Sequence, residues 1–68
     1  MTYRELTRQL RQLGCYLVRQ AAGSHEIWRN PRTQRQATIP NHAGRDIPRG
    51  TLRAILRDLE IDPNELNR

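Results

Sequence analysis

The stretch Leu13-Gly14-Cys15-Tyr16-Leu17-Val18-Arg19-Gln20-Ala21-Ala22-Gly23-Ser24-His25-Glu26-Ile27-Trp28-Arg29 changes periodicity part-way, and that change decides the fold. Upstream of it, Tyr3, Leu6 and Leu10 lead to Leu13 at helical spacing and line one face of a helix over about 2–13. From Cys15 the aromatic and branched residues lose that spacing, which favours a strand over 15–21. Ala22-Gly23 has the chemistry of a tight turn, and 24–29 reads as a second strand.

The flanking segments agree with this reading. Thr2 followed three residues later by Glu5 forms a capping box, in which each side chain satisfies an orphan amide. Gly14 supplies a left-handed cap at the other end of the helix. Arg4, Arg8 and Arg11, with Gln9 and Gln12 between them, fall on the face opposite the apolar stripe. On the C-terminal side, Asn30-Pro31-Arg32-Thr33-Gln34 is a turn, and 35–39 a third strand ended by Pro40. Leu52, Ile55, Leu56 and Leu59 follow helical spacing over 48–59, with Pro48 placed where its missing amide costs nothing. Arg49, Arg53 and Arg57 lie four apart on another face of that helix. Asp62-Pro63-Asn64-Glu65 repeats the cap pattern and predicts a short turn of helix over 63–67. The expected fold is α+β in the order α-β-β-β-α, one domain over 1–68. Its three-stranded antiparallel sheet would carry both helices on one face and leave the other open.

Composition narrows the function. The 68 residues hold twelve arginines, no lysine and seven acids, for a net charge of +5. So short a chain excludes a two-domain enzyme or a repeat array. Its longest apolar run, Cys15-Tyr16-Leu17-Val18, is far below the ~20 residues of a membrane span. The arginine-studded start lacks the apolar segment of a signal peptide, and a lone cysteine excludes an internally disulfide-stapled scaffold. A cytoplasmic protein with no membrane partner is expected. The arginine excess points to a polyanion, most simply nucleic acid, or else reflects the codon bias of the source genome. The charge is unevenly spread. Residues 1–57 carry eleven arginines against three acids, a balance of +8, and 58–68 one arginine against four acids, a balance of −3.

Few groups are left to carry chemistry. There is no glycine-rich phosphate loop, no Cys-x-x-Cys and no His-Glu-x-x-His, so neither a metal nor a small-molecule cofactor is expected. Cys15, just after the helix cap, reads as a small buried hydrophobe. His25 opens the middle strand, where an imidazole can take the proton of a ribose 2′-hydroxyl; spacing alone favours a surface or turn histidine without a role. His42, in the loop before the second helix, is either a second acid–base or phosphate-binding group or a residue that holds its loop. Arg4, Arg8, Arg11, Arg29, Arg45, Arg49 and Arg53 are candidates for RNA phosphates, which suit the planar guanidinium fork. Their alternative is a solvated surface. Trp28 either stacks on a base or anchors the core.

Four runs together resemble the HicA toxin family. They are 13–20, Gly23-Ser24-His25, Ile39-Pro40-Asn41-His42-Ala43-Gly44-Arg45-Asp46-Ile47, and Gly50-Thr51-Leu52-Arg53-Ala54-Ile55-Leu56. The likeness covers about residues 3–62. It implies a fold like that of the double-stranded-RNA-binding domain. It also implies an mRNA interferase of a type II toxin–antitoxin pair, with the histidine of Gly-Ser-His, His25, as the catalytic residue. The partner it implies is a HicB-type antitoxin that covers the active site. Two departures from the family pattern stand out: Cys15 beside the aromatic that follows the capping glycine, and arginine wherever lysine is usual.

The resulting expectation is a metal-independent endoribonuclease that cuts mRNA, with His25 as general base and arginines neutralising the phosphate. Ser24, His42 and a water are the candidates for the general acid. A non-catalytic RNA-binding module is the alternative, and a domain that binds an acidic protein a third.

Overall fold

The computed structural model describes residues 1–42 and 44–66. Helix α1 (Tyr3–Gln12) opens on the capping box expected of it: the Glu5 amide donates to Thr2 Oγ1 at 3.2 Å and the Thr2 amide to Glu5 Oε1 at 2.9 Å. It closes through Gly14, whose φ of +94° lets the Cys15 amide turn back to the Leu10 carbonyl at 2.9 Å. Leu6 and Leu10 are fully buried, while Arg4, Arg8 and Arg11 face solvent. Gln9 departs from the expected pattern. It is buried beside the leucines rather than placed among the arginines, because the apolar stripe is wide enough to take in the neighbouring helical position.

The chain then forms β1 (Tyr16–Gln20), β2 (His25–Asn30) and β3 (Arg35–Pro40), an antiparallel sheet in the order β1-β2-β3. β2 pairs without interruption along β3, from His25 opposite Pro40 to Asn30 opposite Arg35. Pro40 therefore closes the third strand from inside it, on an outer strand where a missing amide is tolerated. The pairing with β1 contains a bulge: Leu17 lies opposite Trp28, but Arg19, not Val18, lies opposite Ile27.

Alternation along β2 divides the sheet. Glu26, Trp28 and Asn30 point inward and are buried, together with Ala37 and Ile39 of β3. His25, Ile27 and Arg29 share the opposite, outer face. Trp28 and Ile39 meet Leu6 and Leu10 of α1 and Ile55, Leu56 and Leu59 of helix α2 (Arg49–Leu59) in one core. Both helices thus cover the inner face, in the α-β-β-β-α arrangement expected. Burial of each such leucine or isoleucine contributes about 1.5–3 kcal/mol.

The far end of the β2–β3 hairpin is tied to the end of α2. Asn30 Nδ2 donates to the Leu59 carbonyl at 2.9 Å, and Thr33 Oγ1 donates to the same oxygen at 3.0 Å. The helix stops at Glu60 in the left-handed region, φ +56°, where the Ile61 amide reaches the Leu56 carbonyl at 2.9 Å. A 3-10 turn, Pro63–Glu65, follows under the cap of Asp62, and Leu66 packs into the core. The sequence placed this turn over 63–67, of which Asn67 lies outside the described residues. Ion pairs gather here: Arg32–Glu65 at 2.9 Å, Arg35–Glu60 at 3.6 Å and Arg57–Asp58 at 3.4 Å.

No helix among the described residues is long and apolar enough to cross a membrane.

Candidate functional site

The turn between β1 and β2 holds His25 by its backbone. The Ala21 amide donates to the His25 carbonyl at 2.8 Å, and the His25 amide donates to the Ala22 carbonyl at 3.3 Å. Gly23, at φ +64°, supplies the left-handed step that closes so short a loop. Ser24 is exposed, and its carbonyl accepts from the Asn41 amide at 2.9 Å, so the pairing of β2 with β3 runs one step past Pro40. Ser24, His25, Pro40, Asn41 and His42 are thereby gathered at one end of the hairpin. Neither imidazole makes a hydrogen bond to another described residue, and both rings are exposed to solvent.

Beneath this end lies a buried carboxylate that the sequence did not single out. Glu26 is only 6% exposed and accepts three hydrogen bonds. Tyr3 Oη reaches Oε1 at 2.5 Å, Trp28 Nε1 reaches Oε1 at 3.1 Å, and Asn41 Nδ2 reaches Oε2 at 3.3 Å. Burial pushes the Glu26 pKa up, but the three donors, aided by the charge of Arg11, overcome it and hold the carboxyl below its ordinary range. The same contact acts in reverse on Tyr3. Burial and the hydrogen bond to Glu26 push its phenol up to about 12. One carboxylate thus joins α1, β2 and the loop that carries His42. Its partners lie 23, 2 and 15 residues away in the chain.

The loop after Asn41 turns back through a hydrogen bond from the Arg45 amide to the His42 carbonyl, 3.2 Å. It rejoins the N-terminus where the Ile47 amide donates to the Met1 carbonyl at 2.7 Å and Thr2 bridges to Asp46. Between this loop and the start of α2 lies a cavity of about 340 Å³, lined by Pro40, His42, Arg45, Asp46 and Thr51 among others. Pro48 opens α2 without a side-chain cap, leaving the positive end of the helix beside that cavity. A second groove is lined by Arg4, Asn41 and Gly44. Among the described residues no three His, Cys, Asp or Glu side chains converge as metal ligands.

The candidate residues are therefore not all in one place. Ser24, His25 and His42 lie at one end of the sheet, where Arg45 lines the cavity with His42 and Arg4 lines the groove with Asn41. Arg49 begins α2 next to Pro48, which lines that cavity. Arg8, Arg11 and Arg53 sit on the helices, across the sheet from the outer face that His25 shares. Arg29 is on that outer face but four residues along the strand, about 13 Å away. Trp28 is corrected outright: it is 0% exposed, and the Arg11 guanidinium lies 4.9 Å from its ring centroid, so no base can stack on it. A single large aromatic in a chain without phenylalanine is needed to fill the core. Cys15 is buried as expected, and burial pushes its thiol pKa up.

One cation was missed. The bulge moves Arg19 from the position opposite Glu26 to the position opposite Ile27, on the outer face. That makes it the diagonal neighbour of His25 across the strand pair, typically 7–8 Å away. Regular alternation would have hidden Arg19, and an extra residue in a strand leaves no mark in the sequence.

The fold and its site define a small basic α+β domain with an exposed histidine at a hairpin end and an uncapped helix start. The family described as HicA toxin of bacterial toxin-antitoxin matches residues 3–61 of the 68, and the chain belongs to it. It is a toxin of a toxin–antitoxin system. No curated protein and no solved structure matches the chain.

Proposed function

We propose that the protein is a metal-independent endoribonuclease that cleaves mRNA and so halts translation, with His25 as its general base. The observation that carries the reading is the placement of His25: a solvent-open imidazole on a backbone held at both its amide and its carbonyl, beside cations. His25 takes the proton of a ribose 2′-hydroxyl while the 2′-oxygen attacks the adjacent phosphorus. The bond to the 5′-oxygen breaks, leaving a cyclic phosphate and a 5′-hydroxyl, and the leaving oxygen takes its proton from His42, Ser24 or a water. Such a base contributes typically ~10²–10⁴-fold. Arg19, diagonal to His25 across the strand pair, and Arg45, which lines a cavity with His42, neutralise the phosphate, whose charge grows in the transition state. Its protein partner is a HicB-type antitoxin, and its place of action the cytoplasm.

The arrangement of Arg8, Arg11 and Arg53 favours a second reading, a non-catalytic RNA-binding module, because these cations face away from His25. Product analysis separates the two. The purified protein is expected to shorten an end-labelled transcript in the presence of chelator, and a His25→Ala variant of unchanged circular dichroism to lose that activity. Undiminished cleavage by the folded variant overturns the assignment of His25. RNA binding without any cleavage favours the module.

A further inference from the structure

β1 is an outer strand of the sheet, paired only on its β2 side, and all five of its residues are exposed. At its centre Tyr16, Leu17 and Val18 are 46%, 41% and 42% exposed, the large apolar residues the fold leaves in water. Proteins usually protect such an edge with charge, proline or a covering segment. The solvent-facing charges on β1 and its partner strand are of one sign, while the Glu65 carboxylate near Cys15, at the head of the strand, is ion-paired with Arg32. Arg19 lies within the strand, Arg29 is paired with Tyr16, and Arg11 stacks over Trp28, the partner of Leu17. The sole acid on β1 or β2 is Glu26, which is buried and has three donors of its own.

We propose that the free edge of β1 is the docking site of a partner protein, which adds an extended segment alternating apolar and carboxylate side chains as a fourth strand. Main-chain hydrogen bonds along five residues provide the affinity, and the sign of the flanking charges selects the segment. A second copy of this chain offers the same basic edge rather than the complementary charge. RNA has no peptide backbone to pair with the edge and does not bury three adjacent apolar side chains. The proposal rests on the toxin–antitoxin reading and is independent of the nuclease chemistry. The added strand sits next to Arg19 and two strand spacings, roughly 10 Å, from β2.

The test uses the full-length protein and, as probe, the HicB-type antitoxin of the same operon. Amide hydrogen exchange is measured over 16–20 in the free and the bound protein. At least tenfold slower exchange there on binding is the expected result. Val18→Glu, checked for folding by circular dichroism, is expected to weaken the complex at least tenfold. A complex in which 16–20 exchange as in the free protein overturns the docking site and leaves the toxin–antitoxin reading standing. No complex at all overturns both. Slowed exchange over 16–20 produced instead by self-association, or by an RNA oligonucleotide, overturns the proposal in favour of that occupant.

Discussion

Asn30, fully buried at the end of β2, donates its side-chain amide to the carbonyl of Leu59 in the last turn of α2, 2.9 Å away. Its own oxygen accepts from the Arg32 amide at 3.1 Å, so one side chain both starts the hairpin turn and caps the helix. Asn30→Ala leaves the part-buried Arg32 amide without its partner and removes half of the buried Leu59 cap. A loss of about 2–3 kcal/mol in urea unfolding is expected, against ~1 kcal/mol for Thr33→Ala, which leaves the Asn30 bond in place. Equal effects of the two would show that Asn30 is not the principal tie.

Glu26 gives the protein a dependence on pH whose sign follows from its lowered pKa. A carboxyl held below its ordinary range in the folded state contributes stability that is present above the unfolded pKa near 4.5. That contribution is lost as pH falls below 4.5 and through the folded value. Urea titrations between pH 7 and pH 2.5 should show wild type losing its advantage over Glu26→Gln across this window. A gap that stays constant with pH would mean the charge of Glu26 is not what holds the Tyr3 and Asn41 contacts.

Gln9 supplies a prediction of the opposite sign. Its Oε1 is buried and has no hydrogen-bond partner among the described residues. Gln9→Leu replaces an unsatisfied acceptor by apolar surface beside Leu6 and Leu10, and is expected to raise stability by about 1 kcal/mol. Thermal unfolding measures this directly, and a lower midpoint would count against it.

Glu60 occupies the left-handed position that ends α2, where Gly14 serves α1. A residue with a Cβ is strained there by roughly 1 kcal/mol, whereas its exposed ion pair with Arg35 offsets little. Glu60→Gly should therefore stabilise the fold by a few tenths to about 1 kcal/mol. The reciprocal change, Gly14→Ala, should destabilise it by about 1 kcal/mol, with the same assay reading both.

Arg19 tests the proposed chemistry. If a phosphate lies beside His25, Arg19→Ala lowers the rate of transcript cleavage by on the order of tenfold. Arg53→Ala, on the helix side of the sheet, should change it by less than about twofold. The reverse ranking would move the substrate to the helical face.

These cases show which parts of the structure were legible in the chain. The cap of Thr2 and Glu5, the glycine after Leu13 and the stripe from Leu52 to Leu59 are local, and local spacing reveals them. Asn30 and Glu26 were invisible as core residues, because the groups that make their burial tolerable lie far away in sequence, at Leu59, Tyr3 and Asn41. Glu60 carries no turn signal, since its backbone conformation is imposed by Ile61 and Leu66 entering the core. Arg19 went unnoticed because its face of the sheet is set by one extra residue in a strand. His25 was found because its turn, Gly23 with Ser24, is written in adjacent residues.

The ion pairs at the far end of the hairpin have a consequence for how a polyanion meets the protein. Asp58, Glu60, Asp62 and Glu65 collect where α2 ends, engaging Arg57, Arg35 and Arg32. At the other end, Asp46 is held by the N-terminal amine at 3.5 Å, while Arg4 and Arg45 stay solvent-exposed beside the segment that carries Asn41 and His42. The protein is thus an electric dipole as well as a net cation. An approaching nucleic acid exerts a torque on it and turns the histidine end forward before any contact is made, so orientation is part of the encounter rate and weakens with added salt.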